Sequence, residues 1–371
     1  MKQYLHIIYM MAIMSSFLFL QSCLDEIELG VPKGQSDAVV VQGKLIVGDV
    51  TEISVLVNRL FTFDGTSTTL RVKTVELICE NGDTQEVDFI SEGVYQKIIP
   101  ENSNFMIKAG VGYKINIELF DGRMIASNFE ELIAFESQNE AAISVKEKPI
   151  YNQEVNDVLN VDRLVLDVKS EFNNDQNNPQ RFRWTVDATY RITDNPSLFG
   201  VDKARQTCYA TYAFRNIQEQ KLYDGFDANI GSQIYEAEVF SGRLDESIYF
   251  DTVYLHVRQE SLTESAYDYF FRIGETLKLA GTMFDPAAGT ITSNLVNVNE
   301  PDEQVFGYFY ASIQSKTTVM FTPDFIGNPV RKLDCTSQEQ LESISGICKI
   351  EECCDCVTAL RASTTKPDYW N

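Results

Sequence analysis

Val39-Val-Val-Gln-Gly-Lys-Leu-Ile-Val47 decides how the chain is read. Val39, Val41, Leu45 and Val47 are aliphatic, while Gln42 and Lys44 fall between them. A repeat of two places one set of side chains on one face of a strand. Ile53-Ser-Val-Leu-Val-Asn58, Val72-Lys-Thr-Val-Glu-Leu-Ile-Cys79 and Tyr113-Lys-Ile-Asn-Ile-Glu-Leu-Phe120 follow the same pattern. Turn signals lie between these segments: Asp64-Gly65, Asn81-Gly82-Asp83, Glu92-Gly93 and Asp121-Gly122. Short alternating strands spaced by such turns predict a β-sandwich over residues 36–130.

Outward from that block, residues 131–160 are acidic, lack a clear period and contain Lys148-Pro149, so they read as a connector. A second strand-rich region covers 161–330. It opens with Val161-Asp-Arg-Leu-Val-Leu-Asp-Val168 and includes Phe182-Arg-Trp-Thr-Val-Asp-Ala-Thr-Tyr-Arg-Ile192, Asp251-Thr-Val-Tyr-Leu-His-Val-Arg258 and Thr317-Thr-Val-Met-Phe321. One stretch breaks the period. Leu262, Ala266, Tyr269, Phe270 and Ile273 fall at helical spacing, and Ser261 with Glu264 reads as a capping box. This predicts one amphipathic helix near 261–278, lying on the second sheet with its aromatics in the core. The fold class expected is mainly β: two β-sandwich-like domains, the second carrying that helix and a Cys-rich tail over 331–371.

The N-terminus speaks to location. Met1-Lys2 is followed by a nearly apolar run from Ile7 to Leu20, of secretory length and short for a bilayer span of about 20 residues. Leu20-Gln-Ser-Cys23 resembles the lipobox of bacterial lipoproteins, which makes 1–22 a signal peptide, Cys23 the acylated residue and 23–35 a tether; a plain secretory peptide is the alternative. Asp25, Glu26 and Glu28 suit a solvated tether, and they also resemble the export signal that carries Bacteroidetes-type lipoproteins to the outer face of the outer membrane. Cleavage leaves 371 − 22 = 349 residues, enough for two domains of roughly 150 each. With 44% hydrophobic residues the chain can build real cores. Its net charge of −23 becomes −24 once Lys2 is removed, a field that repels phosphate backbones and argues against a nucleic-acid partner. The same charge suits cationic ligands or divalent ions, or simply keeps a surface protein soluble.

Without Cys23 seven cysteines remain: Cys79, Cys208, Cys335, Cys348, Cys353, Cys354 and Cys356. Cys353-Cys-Asp-Cys356 has a spacing that in the cytosol suggests zinc or redox chemistry. Behind a signal peptide, disulfides stapling the tail to the second domain are the preferred reading. Adjacent cysteines rarely pair, so Cys353 and Cys354 should reach different partners, with Cys335, Cys348 and Cys208 as candidates. Seven is odd; Cys79, in a strand pattern, is expected to be the free, buried thiol.

Catalytic signals are weak. His256 is the one histidine after the signal; it shares a strand face with Tyr254 and Arg258 and reads as ordinary surface rather than a general base. No Gly-x-Ser-x-Gly, phosphate loop or His-Glu-x-x-His occurs. A carboxylate pair of glycosidase type needs only two acids among 54. Asn173-Asn-Asp-Gln-Asn-Asn178 spaces oxygens like an ion loop, but Asn178 stands where Gly is required and Trp184 where Glu is required, so it reads as a polar loop. No catalytic, cofactor-binding or metal residue is expected.

Specific pieces carry a family resemblance. Gly93-Val-Tyr-Gln96, Ala109-Gly-Val-Gly-Tyr-Lys-Ile-Asn-Ile117, Phe120-Asp-Gly-Arg-Met-Ile-Ala-Ser127, Ala266-Tyr267, Phe284-Asp-Pro286, Ser293-Asn-Leu-Val-Asn297 and Val305-Phe-Gly-Tyr-Phe-Tyr-Ala-Ser312 resemble an envelope family known as domain of unknown function 4249. So does the ending Cys353-Cys-Asp-Cys356 with Lys366-Pro-Asp-Tyr-Trp370. Thr292-Ser293-Asn294 departs from the family, which often has a glycine there. The resemblance implies an outer-membrane lipoprotein accompanying a TonB-dependent transporter, with an immunoglobulin-like or carboxypeptidase-regulatory-like first domain and no assigned activity. The expected function is therefore a non-enzymatic accessory that docks on the transporter or captures a small-molecule or peptide ligand for it. A surface adhesin is the alternative, and a glycan hydrolase stands behind both.

Overall fold

The alternation in Val39–Val47 becomes strand β1, with Val39, Val41 and Leu45 buried and Gln42 and Lys44 exposed. The structure is a computed structural model and describes residues 38–60, 69–152, 156–175, 179–199, 202–214, 220–226, 228–244, 247–279, 291–325, 335 and 351–370. β1 is followed by β2 (Thr51–Arg59), β3 (Thr74–Cys79), β4 (Thr84–Glu86), β5 (Asp88–Ser91), β6 (Val94–Ile98), β7 (Gly112–Glu118), β8 (Met124–Ser127) and β9 (Glu130–Glu131). Then come β10 (Ser137–Asn152), β11 (Asp157–Asn174), β12 (Arg181–Thr193), β13 (Thr207–Ala213), β14 (Lys221–Asp224), β15 (Gly231–Arg243) and β16 (Val253–Ser261). Helix α1 (Glu264–Leu279), β17 (Leu295–Asn297), β18 (Phe306–Phe321) and the short α2 (Glu351–Cys354) complete the described strands and α-helices.

Three sheets result. The nine-stranded one runs β13-β12-β16-β18-β1-β2-β6-β5, with β14 against β12; the six-stranded one runs β17-β8-β7-β3-β4, with β9 against β7; β10-β11-β15 form the third. β18 unites the large sheet. Its first half, Phe306–Ile313, lies parallel to β1, and its second half, Gln314–Phe321, lies antiparallel to β16. At the start of the parallel pairing Gly307 has φ +99°, and a Cβ there would sit 1.8 Å from the Val41 carbonyl oxygen. Only glycine tolerates both conditions.

Two cores form on one side of this sheet. Leu45, Ile53, Val55 and Phe309 meet Leu77, Ile115 and Ile117 of the six-stranded sheet. Farther along, Phe182, Trp184, Leu255 and Phe321 meet Leu164, Leu166 and Phe172 of the three-stranded sheet. Aromatics dominate this second core: Phe172 and Phe182 make an edge contact at 4.8 Å, and Trp184 stacks on Tyr235 at 5.3 Å. Burial of each such side chain stabilises the fold by about 1.5–3 kcal/mol.

The fold is mainly β, as the period predicted. Three details differ. Residues 137–152, inside the stretch read as a connector, form β10; Ala141, Ile143 and Val145 alternate, and Pro149 is tolerated because β10 is an edge strand. The sandwich expected over 36–130 is completed from far along the chain, by β17 against β8 and β18 against β1. Sequence-adjacent alternation cannot reveal a parallel neighbour from the other end of the chain. The helix starts at Glu264, and its cap is Thr263, whose Oγ1 accepts the Ala266 N–H at 3.2 Å. Ser261 is instead buried in β16, donating to the Ile133 carbonyl and accepting the Ile313 N–H. On the sheet's other side, α1 packs Ala266, Tyr269 and Phe270 against Ile46, Tyr308 and Tyr310.

Candidate functional site

β10 and β11 pair from Ser137–Phe172 to Asn152–Asp157, while β15 accompanies β11 only as far as Arg163. Beyond Arg163 the hairpin is a two-stranded arm. Near its tip Tyr151 and Val158 are cross-strand partners, each 56% exposed, and Leu159 is 40% exposed. Tyr151 and Val158 lie together on one face of the hairpin and Leu159 on the other.

The arm is curled. Lys148 pairs with Val161 and Glu238 with Asp167, six residues apart along β11 (161 to 167). A straight strand would separate those levels by about 20 Å. Yet the Lys148 ammonium and Glu238 carboxylate are in direct contact. Beside the curl lies an open cleft of about 470 Å³ between Pro149 and Ile150 of β10, Arg163 of β11, and Val239, Phe240 and Ser241 of β15. That is within the range of small-molecule sites, about 300–1,000 Å³. Arg163 is held by β15, its Nε donating to Ser241 Oγ at 3.1 Å and its Nη2 to the Ser241 carbonyl. Gly242 permits this wall, since a Cβ there would meet the Phe240 ring at 2.4 Å.

The other polar groups are structural. Arg183 donates through Nε to Glu260 Oε2 at 3.0 Å, touches the Tyr310 hydroxyl, and stacks 3.8 Å from the Phe270 ring centre. Burial alone would raise the Glu260 carboxyl, but Arg183 outweighs it and holds the group below the usual carboxylate range. Glu130, also buried, accepts from Thr263 (2.5 Å), Tyr308 (2.6 Å), Asn294 (3.0 Å) and Ser265 (3.2 Å). Burial pushes its carboxyl up despite those donors. Asn294, in the segment that departs from the family, also bonds both the N–H and the carbonyl of Phe309. Glu130 ties α1 to the sheet through Thr263 and Ser265, and Glu260 does so through Arg183, which stacks on Phe270.

His256 is not at the surface as expected; it is 3% exposed. Nε2 lies 2.9 Å from Thr189 Oγ1, Nδ1 2.9 Å from Thr318 Oγ1, and Tyr369 covers the ring. Burial lowers its pKa to about 4, which keeps it neutral. The cover comes from the C-terminal segment: Trp370 packs on Tyr209 and Tyr254, and Tyr369 OH bonds Thr189. Local alternation could mark that strand face as polar, but not that a distant tail lies over it.

Disulfides hold the tail. Cys208 is bonded to Cys356 and Cys335 to Cys353, and Cys354 is also disulfide-bonded. Adjacent Cys353 and Cys354 do not pair with each other, and Cys79 is free and buried, as expected. Cys348, the signal 1–22, Cys23 and the tether 23–35 lie outside the described residues. Within the former ion-loop candidate, Asn174 bonds the Gly225 carbonyl and the Gln180 N–H, a structural role; residues 176–178 lie outside the description. Among the described residues no group of three His, Cys, Asp or Glu side chains could hold a metal ion.

The sequence gives no binding role to any cleft residue: Lys148 and Pro149 fall in the stretch read as a connector and Arg163 in a strand. The alternation of Ala141, Ile143 and Val145 was the available signal for β10; nothing local marked Lys148, Arg163 and Glu238 as neighbours.

No curated protein matches the chain. The family model described as Domain of unknown function (DUF4249) matches residues 25–318, which includes the arm and every cleft residue but stops short of the cysteine-rich ending. With four-fifths of its length inside that match, the chain belongs to the DUF4249 family.

Proposed function

We propose that the protein is a non-enzymatic lipoprotein, anchored through Cys23 in the outer membrane and facing the cell surface, that works beside a TonB-dependent transporter. The curled β10–β11 arm is the observation that carries this reading. Its tip offers Tyr151, Val158 and Leu159 for docking, and its base forms a cleft of small-molecule size. The buried acids Glu130 and Glu260 are held by protein donors, so neither is available as a glycosidase carboxylate.

Affinity capture from detergent-solubilised outer membranes, combined with protease shaving of intact cells, tests the reading. A stoichiometric barrel is expected with the parent protein and not with Tyr151→Asp/Leu159→Asp, whose sites are exposed enough to leave the fold intact. Recovery of no barrel from shaving-sensitive protein would turn the conclusion to an adhesin. Turnover of a glycan abolished by a single Asp or Glu substitution would overturn it in favour of a hydrolase.

A further inference from the structure

The cleft beneath the arm has an uncommon charge pattern for this protein. The chain carries −23, but the cleft brings together two cations, Lys148 and Arg163, and one acid, Glu238. Each is positioned from a different strand of the three-stranded sheet: Lys148 from β10, Arg163 from β11, Glu238 from β15. Ser241 occupies Nε and Nη2 of Arg163, so the guanidinium is fixed in direction while Nη1 is not used by that contact. Glu238 meets Lys148 through Oε1, which leaves Oε2 outside the pair. Both partners are about one-third exposed, 30% and 33%, so an entering molecule can reach them. Ile150, Val239 and Phe240 supply apolar wall beside these charges.

We infer that this cleft binds a small zwitterion with an apolar side chain, a free amino acid or short peptide, with its carboxylate on Arg163 and Lys148 and its ammonium on Glu238. A carboxylate alone would use the two cations but leave Glu238 a repelling neighbour. A cation alone would meet Glu238 and be opposed by two positive groups. A zwitterion satisfies all three, and charge-assisted hydrogen bonds of this kind are the strong ones. The apolar wall accepts the side chain and supplies the rest of the affinity. The assignment deepens the ligand-holding reading of the arm and rests on it for its biological purpose, whereas the binding itself requires no transporter.

Calorimetric titration of the purified, lipid-anchored full chain at neutral pH with L-leucyl-L-leucine tests it. One site per chain is expected. N-acetylation or C-amidation of the dipeptide should each weaken binding at least tenfold. Glu238→Gln should weaken the free dipeptide tenfold while erasing the effect of acetylation, and Arg163→Gln should do the same for amidation. Thermal midpoints and near-ultraviolet circular dichroism of both variants establish that they fold. No heat with any of the three ligands, equal binding of all three, or sensitivity to amidation without sensitivity to acetylation would overturn the assignment. Because the titration contains no barrel, its failure leaves the docking reading to be judged by capture, and failed capture leaves the titration intact.

Discussion

The Val41 carbonyl oxygen and Gly307 approach so closely that a Cβ on Gly307 would lie 1.8 Å from that oxygen. β1 and β18 join two cores into one sheet, and their parallel pairing begins at this contact.

Gly307→Ala is therefore expected to destabilise the protein by roughly 4 kcal/mol or more, beyond the usual range of point substitutions. Gly82→Ala is the control. Gly82 has a similar φ of +93° but nothing within 4 Å of a new Cβ, so it should lose only about 1–2 kcal/mol from backbone conformation. Urea titration of the two variants separates the clash from the dihedral; equal losses would show that the β1–β18 contact yields.

The Arg183–Glu260 pair, with side chains 8% and 4% exposed, should behave as one unit. Arg183→Met or Glu260→Met alone leaves a buried charge and should cost about 3–5 kcal/mol. The double variant should lose much less than the sum of the two, because neither charge remains. A double-mutant cycle from urea midpoints reads the coupling directly. Additive losses would mean that water reaches the site under α1.

His256 predicts an acid-sensitive stability. Its folded pKa is lowered to about 4 by burial, against an ordinary value of 6.5. Between these two values the unfolded chain takes up the proton and the folded one does not, so stability falls as pH drops through that window. The contribution is up to about 1.4 kcal/mol per pH unit and ends once the folded histidine also protonates. His256→Gln should remove this slope relative to the parent. The comparison is necessary because Glu130, whose carboxyl is raised, contributes in the opposite sense: its stability is greatest at low pH and lost as pH rises through its folded pKa.

The tail should depend on its staple. Cys208→Ala/Cys356→Ala removes a link that closes 148 residues and should cost about 2–4 kcal/mol. Trp370 would leave Tyr209 and Tyr254 for solvent while Trp184 stays in the second core. A red shift in tryptophan emission before global unfolding is the expected signature; unchanged emission would show that Tyr209–Ser363 pairing and aromatic packing suffice.

Much of the architecture was legible locally. A period of two in Val39–Val47 and Phe182–Ile192 announces strands because alternate side chains must enter a core. Ala266, Tyr269, Phe270 and Ile273 announce a helix because they share one face at 3.6 residues per turn. Cysteine count and spacing sufficed for a stapled tail and for Cys79 as the free thiol. Long-range partners were beyond such reading. Parallel pairing of β1 with β18, the burial of His256 under Tyr369 and the meeting of Lys148 with Glu238 each depend on where distant segments settle. A residue's own neighbours state which face it prefers; only the closing of the sheets and the curl of the arm decide what that face meets.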